Sequence, residues 1–182
     1  MSFTHLHLHS AFSLLDGASH AAELTDRAAE LGMTAIALTD HNTLAGAVRF
    51  FKAAKDSGIK PIIGVEFTVE LAGALRLPVL GPGGIRADDA QPASRPDTTV
   101  DYTRYAHLVL LAKSNEGYRN LCRLVTCARL GQAQHSGPFS EEFRRIDRKK
   151  PALSQEHLSQ YTGDLICLSG CDRGEIPRLL SA

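Results

Sequence analysis

Histidines 5, 7 and 9 alternate with apolar neighbours in Phe3-Thr4-His5-Leu6-His7-Leu8-His9-Ser10. Alternate side chains of an extended segment share a face, so the three imidazoles are expected on one side, opposite Thr4, Leu6 and Leu8. Crowded imidazoles repel when protonated and are costly to bury unpartnered. A divalent cation removes both difficulties, because neutral imidazole is a ligand for first-row metals. The leucines between the histidines set the run apart from a purification tag. Further groups of ligand type recur downstream. Asp40-His41, Glu66 and Cys171 each follow the C-terminal end of an expected strand, the rim on which parallel β/α folds build their sites. His107 is the exception: it stands near the start of its strand, and an irregular strand is needed to bring it in. A single histidine at a strand end is commonly structural; several such groups on one rim are hard to explain that way. Imidazole, carboxylate and thiolate together suit Zn²⁺, Mn²⁺ or Fe²⁺ better than Mg²⁺ or Ca²⁺. A carboxylate such as Glu66 can bridge two ions. Ions about 3.5–4 Å apart can clamp the oxygens of a phosphoester while acidifying a water. The chemistry expected is metal-assisted phosphoester hydrolysis.

The elements that must position these groups alternate. After the histidine segment, Ser19 is expected to cap a helix from about His20 to Leu31, with Leu24, Ala28 and Leu31 on its inner face and Gly32 ending it. Thr34 to Leu38 reads as a strand. A second helix is expected from Thr43, with Leu44, Ala47, Val48 and Phe51 as its apolar stripe and Gly58 at its close. Lys60 to Val65 reads as a buried strand, with Phe67 to Leu71 as a continuation. Strand, helix, strand, helix, strand in this order argues for a parallel sheet or barrel. The rhythm breaks over residues 72–104, rich in Gly, Pro, Asp and Arg and expected to form an exposed, flexible insertion. It resumes with a strand from Ala106 to Ala112, a helix from Ser114 to about Leu130, a loop with the basic run Arg144 to Lys150, a short helix from Ser154, a strand from Asp164 to Leu168, and a helix from Glu175.

The 182 residues carry no formal net charge, so composition gives no general electrostatic case for nucleic acid. No apolar run approaches ~20 residues, and no secretory signal precedes the first strand, which excludes a membrane span and points to the cytoplasm. Four cysteines without a C-x-x-C pair read as reduced thiols.

His5-Leu-His7-Leu-His9-Ser10, Leu15-Asp16-Gly17, Leu38-Thr39-Asp40-His41, Gly64-Val65-Glu66, His107-Leu108 and Leu168-Ser169-Gly170-Cys171 resemble the PHP (polymerase and histidinol phosphatase) superfamily. Gly117-Tyr-Arg-Asn-Leu121 and the Leu-Ser-Gly-Cys segment point to its polymerase branch, the N-terminal PHP domains of bacterial DNA polymerase III alpha subunits. The resemblance implies a distorted (β/α)7 barrel of parallel strands around up to three divalent ions. It implies His7, His9, Asp16, His41, Glu66, His107 and Cys171 as ligands, with His7, His9, His41 and Glu66 acting on substrate through bound metal and water. His5 stands where relatives often carry Asp, and Asp40 is expected to orient its neighbours rather than bind metal.

The family's late Asp-x-His motif is missing, as are all polymerase catalytic segments. The chain is thus expected to be an N-terminal portion of a longer polymerase, its barrel incomplete at the C-terminus and one metal position weak. Family members with full ligand sets resemble metal-dependent 3′–5′ exonucleases or phosphoesterases acting on DNA 3′ ends. Lys113, Arg119 and Arg123 are candidates for backbone contact, although exposed basic residues on helices are usually only solvated. Partners implied are the rest of the alpha chain, the proofreading exonuclease subunit and other holoenzyme subunits. Two alternatives stand beside this reading: a non-catalytic, metal-stabilised scaffold docking the proofreading exonuclease, and a free-standing histidinol-phosphatase-like enzyme.

Overall fold

The computed structural model describes residues 3–71, 105–130 and 151–180. The insertion expected at 72–104 and the basic run Arg144 to Lys150 lie outside them. Four strands form one open sheet in the order β1 (Ala35–Leu38), β2 (Lys60–Glu70), β3 (Tyr105–Ala112), β4 (Leu165–Leu168). Among the described residues, five helices accompany them: α1 (Ala21–Glu30), α2 (Ala47–Asp56), α3 (Asn115–Leu130), α4 (Gln155–Gln160) and α5 (Glu175–Leu180).

The sheet is mixed, which corrects the expectation of parallel strands throughout. β1 and β2 are parallel, but β3 runs antiparallel to both β2 and β4. The reversal comes where the β/α rhythm breaks in the sequence, and an antiparallel return needs no crossover helix. It also resolves the exception of His107. A strand running backwards starts at the rim where its neighbours end, so His107 pairs with Thr68 near the end of β2. Gly64 marks the point where β2 leaves β1 and takes up β3. A Cβ there would come within 2.5 Å of Leu111 Cδ2 and 2.6 Å of the Leu110 carbonyl oxygen.

The histidine segment is not a regular strand. It bends at Leu6–His7 yet lies along β1, where Ala37 N–H donates to the His5 carbonyl and Thr39 N–H to that of Leu8. Alternation along β2 and β3 sorts side chains between two faces. Val65, Phe67, Val69 and Leu110 pack with Leu121 and Leu124 of α3, while Val109 and Leu111 pack with Ala37 on the other face. Glu66 and His107 share that second face. Ile36 and Leu38 meet Ala28 of α1 and Phe50 of α2.

The helices depart from expectation in detail. His20 rather than Ser19 caps α1, its backbone N–H donating to Glu23. Leu31 is exposed. Helix α2 starts at Ala47 and buries Ala47, Phe50 and Ala54, leaving Val48 and Phe51 outside. Both stripes fit helical spacing; Phe50 wins because small Ala47 and Ala54 flank it and let the helix approach the sheet.

Candidate metal centre

Glu66 is the hub. It is 1% exposed, and both carboxylate oxygens face imidazoles. His7 Nε2 lies 2.9 Å, His9 Nε2 2.7 Å and His41 Nδ1 3.3 Å from Oε2; His107 Nδ1 lies 2.7 Å from Oε1. Asp16 forms a second bridge: its Oδ2 is 2.5 Å from His9 Nδ1 and 3.0 Å from His41 Nε2. Cys171 Sγ reaches Glu66 Oε1 at 3.6 Å. All seven ligand candidates thus meet at one rim. Among the described residues, three overlapping groups have their donor atoms mutually within 4.8 Å: His7, His9 and Glu66; His9, Asp16 and His41; His41, Glu66 and His107.

Local structure explains the convergence. Thr39 Oγ1 accepts the Leu8 N–H and donates to the Leu8 carbonyl, pinning the histidine segment to the end of β1. Asp40 is buried and binds no metal candidate. Its carboxylate accepts from the Ser10 N–H and from the Ser10 and Ser13 hydroxyls, and Ser13 Oγ in turn accepts the His41 N–H. Asp40 therefore orients His41 through Ser13, a link the sequence reading missed. Asn42 adopts a left-handed φ of 50°, which Asn tolerates. Its side chain bonds Thr68 in both directions, and the Arg129 guanidinium donates to its carbonyl. Ser13, Asn42 and Arg129 are the positioning residues that spacing did not reveal; the Asp-His-Asn run was the available signal for Asn42.

The other candidates lie away from the cluster. His5 is exposed, its ring edge-on to Phe3 at 4.7 Å, because the bend at Leu6–His7 breaks the alternation that would have aligned it with His7 and His9. Lys113 follows the end of β3, about 20 Å along the chain from His107 near the strand's start. Arg119 and Arg123 both pair with Glu116 on their own helix. The three basic candidates are not brought to the cluster.

Burial pushes the Glu66 carboxyl up, but hydrogen bonds from His107, His7 and His9 outweigh it and hold the group well below the usual carboxylate range. For His9, burial lowers the pKa, yet Glu66 and Asp16 together raise it above its ordinary value. His41 is lowered, chiefly by burial. His9 and His41 hold Asp16 low, and burial pushes the Cys171 thiol up to about 11.

These directions show whether the donor set suits a cation. His9 presents both ring nitrogens to carboxylates, which hydrogen bonds alone satisfy only if the ring carries two protons. His41 does the same, yet its proton affinity is lowered. A neutral His41 has one N–H, so its other nitrogen aims a lone pair at a carboxylate oxygen. A cation between such atoms turns the conflict into attraction, and imidazole with carboxylate is a set that Zn²⁺, Mn²⁺ or Fe²⁺ accepts. The residues fit a divalent metal.

One feature of the Ser13–Gly17 turn runs against local preference. Leu15 is fully exposed at φ 68°, a left-handed conformation that costs a non-glycine residue about 1–2 kcal/mol. Leu15→Gly removes that strain and no packing, at the cost of extra freedom in the unfolded chain. It should leave stability unchanged or raise it by up to about 1 kcal/mol in urea unfolding. A loss above about 1 kcal/mol would mean that the Leu15 side chain makes a stabilising contact.

The chain is 44% identical over 182 residues to an error-prone DNA polymerase of Symbiobacterium thermophilum, covering 99% of this chain and 14% of that protein. It is 39% identical over 183 residues to the DNA polymerase III subunit alpha of Treponema pallidum, covering 99% of this chain and 13% of the other. The chain thus spans only about one seventh of the length of these relatives, and the region matched is their N-terminal one. An amidohydrolase from Chromobacterium violaceum overlaps at 24% identity, 88% of this chain and 49% of that one, with a TM-score of 0.43. Residues 5–182 match the family model described as PHP domain, and the chain belongs to the PHP domain family.

Proposed function

We propose that this domain is a metal-dependent phosphoesterase acting on DNA 3′ ends, part of a replicative polymerase alpha chain. The observation that carries the reading is the buried Glu66 carboxylate shared by four histidines, with Asp16 as a second bridge. Three overlapping donor groups of His7, His9, Asp16, His41, Glu66 and His107 support sites for up to three ions, with Cys171, which reaches Glu66, as a further ligand. Divalent ions bound there supply an acidified water and positive charge opposite the phosphoryl oxygens.

The chain's own residues do the rest. Glu66 balances the charge of the centre and spans it. Asp16 fixes the ring orientations of His9 and His41, as carboxylate partners of ligating histidines do. Burial disfavours the charged form of His41, which favours offering a lone pair, whereas Glu66 and Asp16 favour the charged form of His9. Asp40 and Ser13 hold His41 in place, so little reorganisation is needed. The mixed sheet is read as part of the family's barrel, β1 to β4 forming one side. In the whole protein, the remaining alpha chain, the proofreading exonuclease and other holoenzyme subunits are its proposed neighbours, in the bacterial cytoplasm. Within the described residues, no helix is long and apolar enough to cross a membrane.

Single-stranded DNA given Mn²⁺ or Zn²⁺ should lose 3′ nucleotides, and His9→Ala should slow this at least about a hundredfold. An unchanged rate in the variant would remove the reading. Turnover of histidinol phosphate with DNA left intact would shift it to the small-molecule enzyme.

A further inference from the structure

Beside the cluster lies an open cavity of about 380 Å³. One wall is His7, His9 and Asp16. The other is Leu8 and Leu24, with Gly17, Ala18 and Ser19 between. It lies on the His7, His9 and Asp16 side of the centre; His41, Glu66, His107 and Cys171 do not line it. A phosphate seated on the shared carboxylate–histidine groups therefore has this cavity beside it.

The cavity is built rather than incidental. Leu8 and Leu24 are packed against the Ile36, Leu38 and Phe50 core, so the apolar wall is fixed. The small-residue wall is fixed as well: Gly17 N–H donates to the Ser13 carbonyl, and Ala11 N–H to that of Ser19. A Cβ on Gly17 would come 2.0 Å from the Ser10 carbonyl oxygen, so only glycine allows this wall to close against Ser10. Because His20 caps α1, the Ser19 side chain is released from capping, and among the described residues its hydroxyl has no hydrogen-bond partner. The volume lies at the lower end of the roughly 300–1,000 Å³ range of small-molecule sites.

We infer that this cavity holds the nucleoside of the terminal nucleotide, with its sugar and base against Leu8 and Leu24 and a polar contact from Ser19. The inference rests on the phosphoesterase reading and adds to it the class of group bound beside the phosphate. An apolar wall with one hydroxyl distinguishes a nucleoside from no nucleoside, but offers no donor–acceptor pattern to tell bases apart. Binding should be nearly independent of base.

The test is calorimetric titration of the whole chain loaded with Mn²⁺, using inorganic phosphate and each of the four deoxynucleoside 5′-monophosphates. The nucleotides should bind at least about tenfold more tightly than phosphate, within about threefold of one another. Ser19→Trp, which fills the cavity, should bring the nucleotides down to the affinity of phosphate while phosphate binding and metal content stay unchanged. Two outcomes overturn the inference and leave the phosphoesterase reading standing: nucleotides no tighter than phosphate, or an advantage that survives Ser19→Trp. No binding of phosphate by metal-loaded protein overturns both.

Discussion

Glu66→Gln should weaken metal binding at the centre more than about a hundredfold while leaving the fold assembled. The amide has the size of the carboxylate and can still donate to one imidazole and accept from another, so the 1% exposed position keeps its packing. What disappears is the negative charge that faces His7, His9, His41 and His107. Two of the three donor groups include Glu66 and lose an anionic ligand at once; the third keeps Asp16. Replacing partners that only orient a ligand costs about 10–100-fold in metal affinity, so removing a shared ligand should cost more than about a hundredfold. DNA hydrolysis should fall at least as far. Equilibrium dialysis followed by elemental analysis measures the first effect and 3′ nucleotide release the second. A variant that holds its metal as tightly as the parent would contradict the hub role of Glu66.

Removing metal from the parent chain should have the second-largest effect. A ligand that binds only the folded state at a hundred times its Kd contributes about 2.7 kcal/mol. For a chain of this size that is a fall in Tm of about 5–10 °C on adding a chelator, absent in Glu66→Gln. The size of the fall depends on pH through the same residues. Glu66, held low, contributes stability to the metal-free fold that is present above the ordinary carboxylate pKa of about 4.3 and fades as pH drops below it. His41, also lowered, makes the metal-free fold less stable as pH falls below about 6.5, because the unfolded chain then binds the extra proton. His9, raised, works the other way: its contribution is complete below about 6.5 and is lost as pH climbs through its folded value. Metal and proton compete for the same ring nitrogens, and the raised His9 adds to that competition, so loading strengthens with pH. The chelator-induced drop in Tm, followed by scanning calorimetry, should be larger at about pH 8 than at about pH 6. An equal drop at both would mean that His9 gives up no proton to the metal.

Much of the centre was legible because metal chemistry restricts residue types. Imidazoles, acids and a thiol placed after expected strand ends marked the rim, and six separate segments do meet there. Strand direction was not legible. Parallel and antiparallel strands share the same two-residue alternation, so Tyr105–Ala112 reads alike in either sense; only pairing with β2 shows that His107 stands at the right end. His5 misled for a related reason. Its spacing from His7 promised a shared face, but the segment bends at Leu6–His7 between hydrogen bonds from Ala37 and Thr39, in and just after a strand some thirty residues away. Asp40 was expected as an orienting residue, but Ser13, Asn42 and Arg129 were hidden because serine, asparagine and arginine are too common to signal anything until their partners are in view. Phe50 and Phe51 compete for one helical face, and the packing of small alanines against the sheet decides between them.

The centre itself is tested most directly by anomalous X-ray scattering at the zinc edge from crystals grown with Zn²⁺. Peaks are expected between Glu66 and the ring nitrogens of His7, His9, His41 and His107, at about 2.0–2.2 Å from the coordinating nitrogen and oxygen atoms. Zinc bound elsewhere on the surface, with these side chains still hydrogen-bonded only to one another, would contradict a metal centre at this rim.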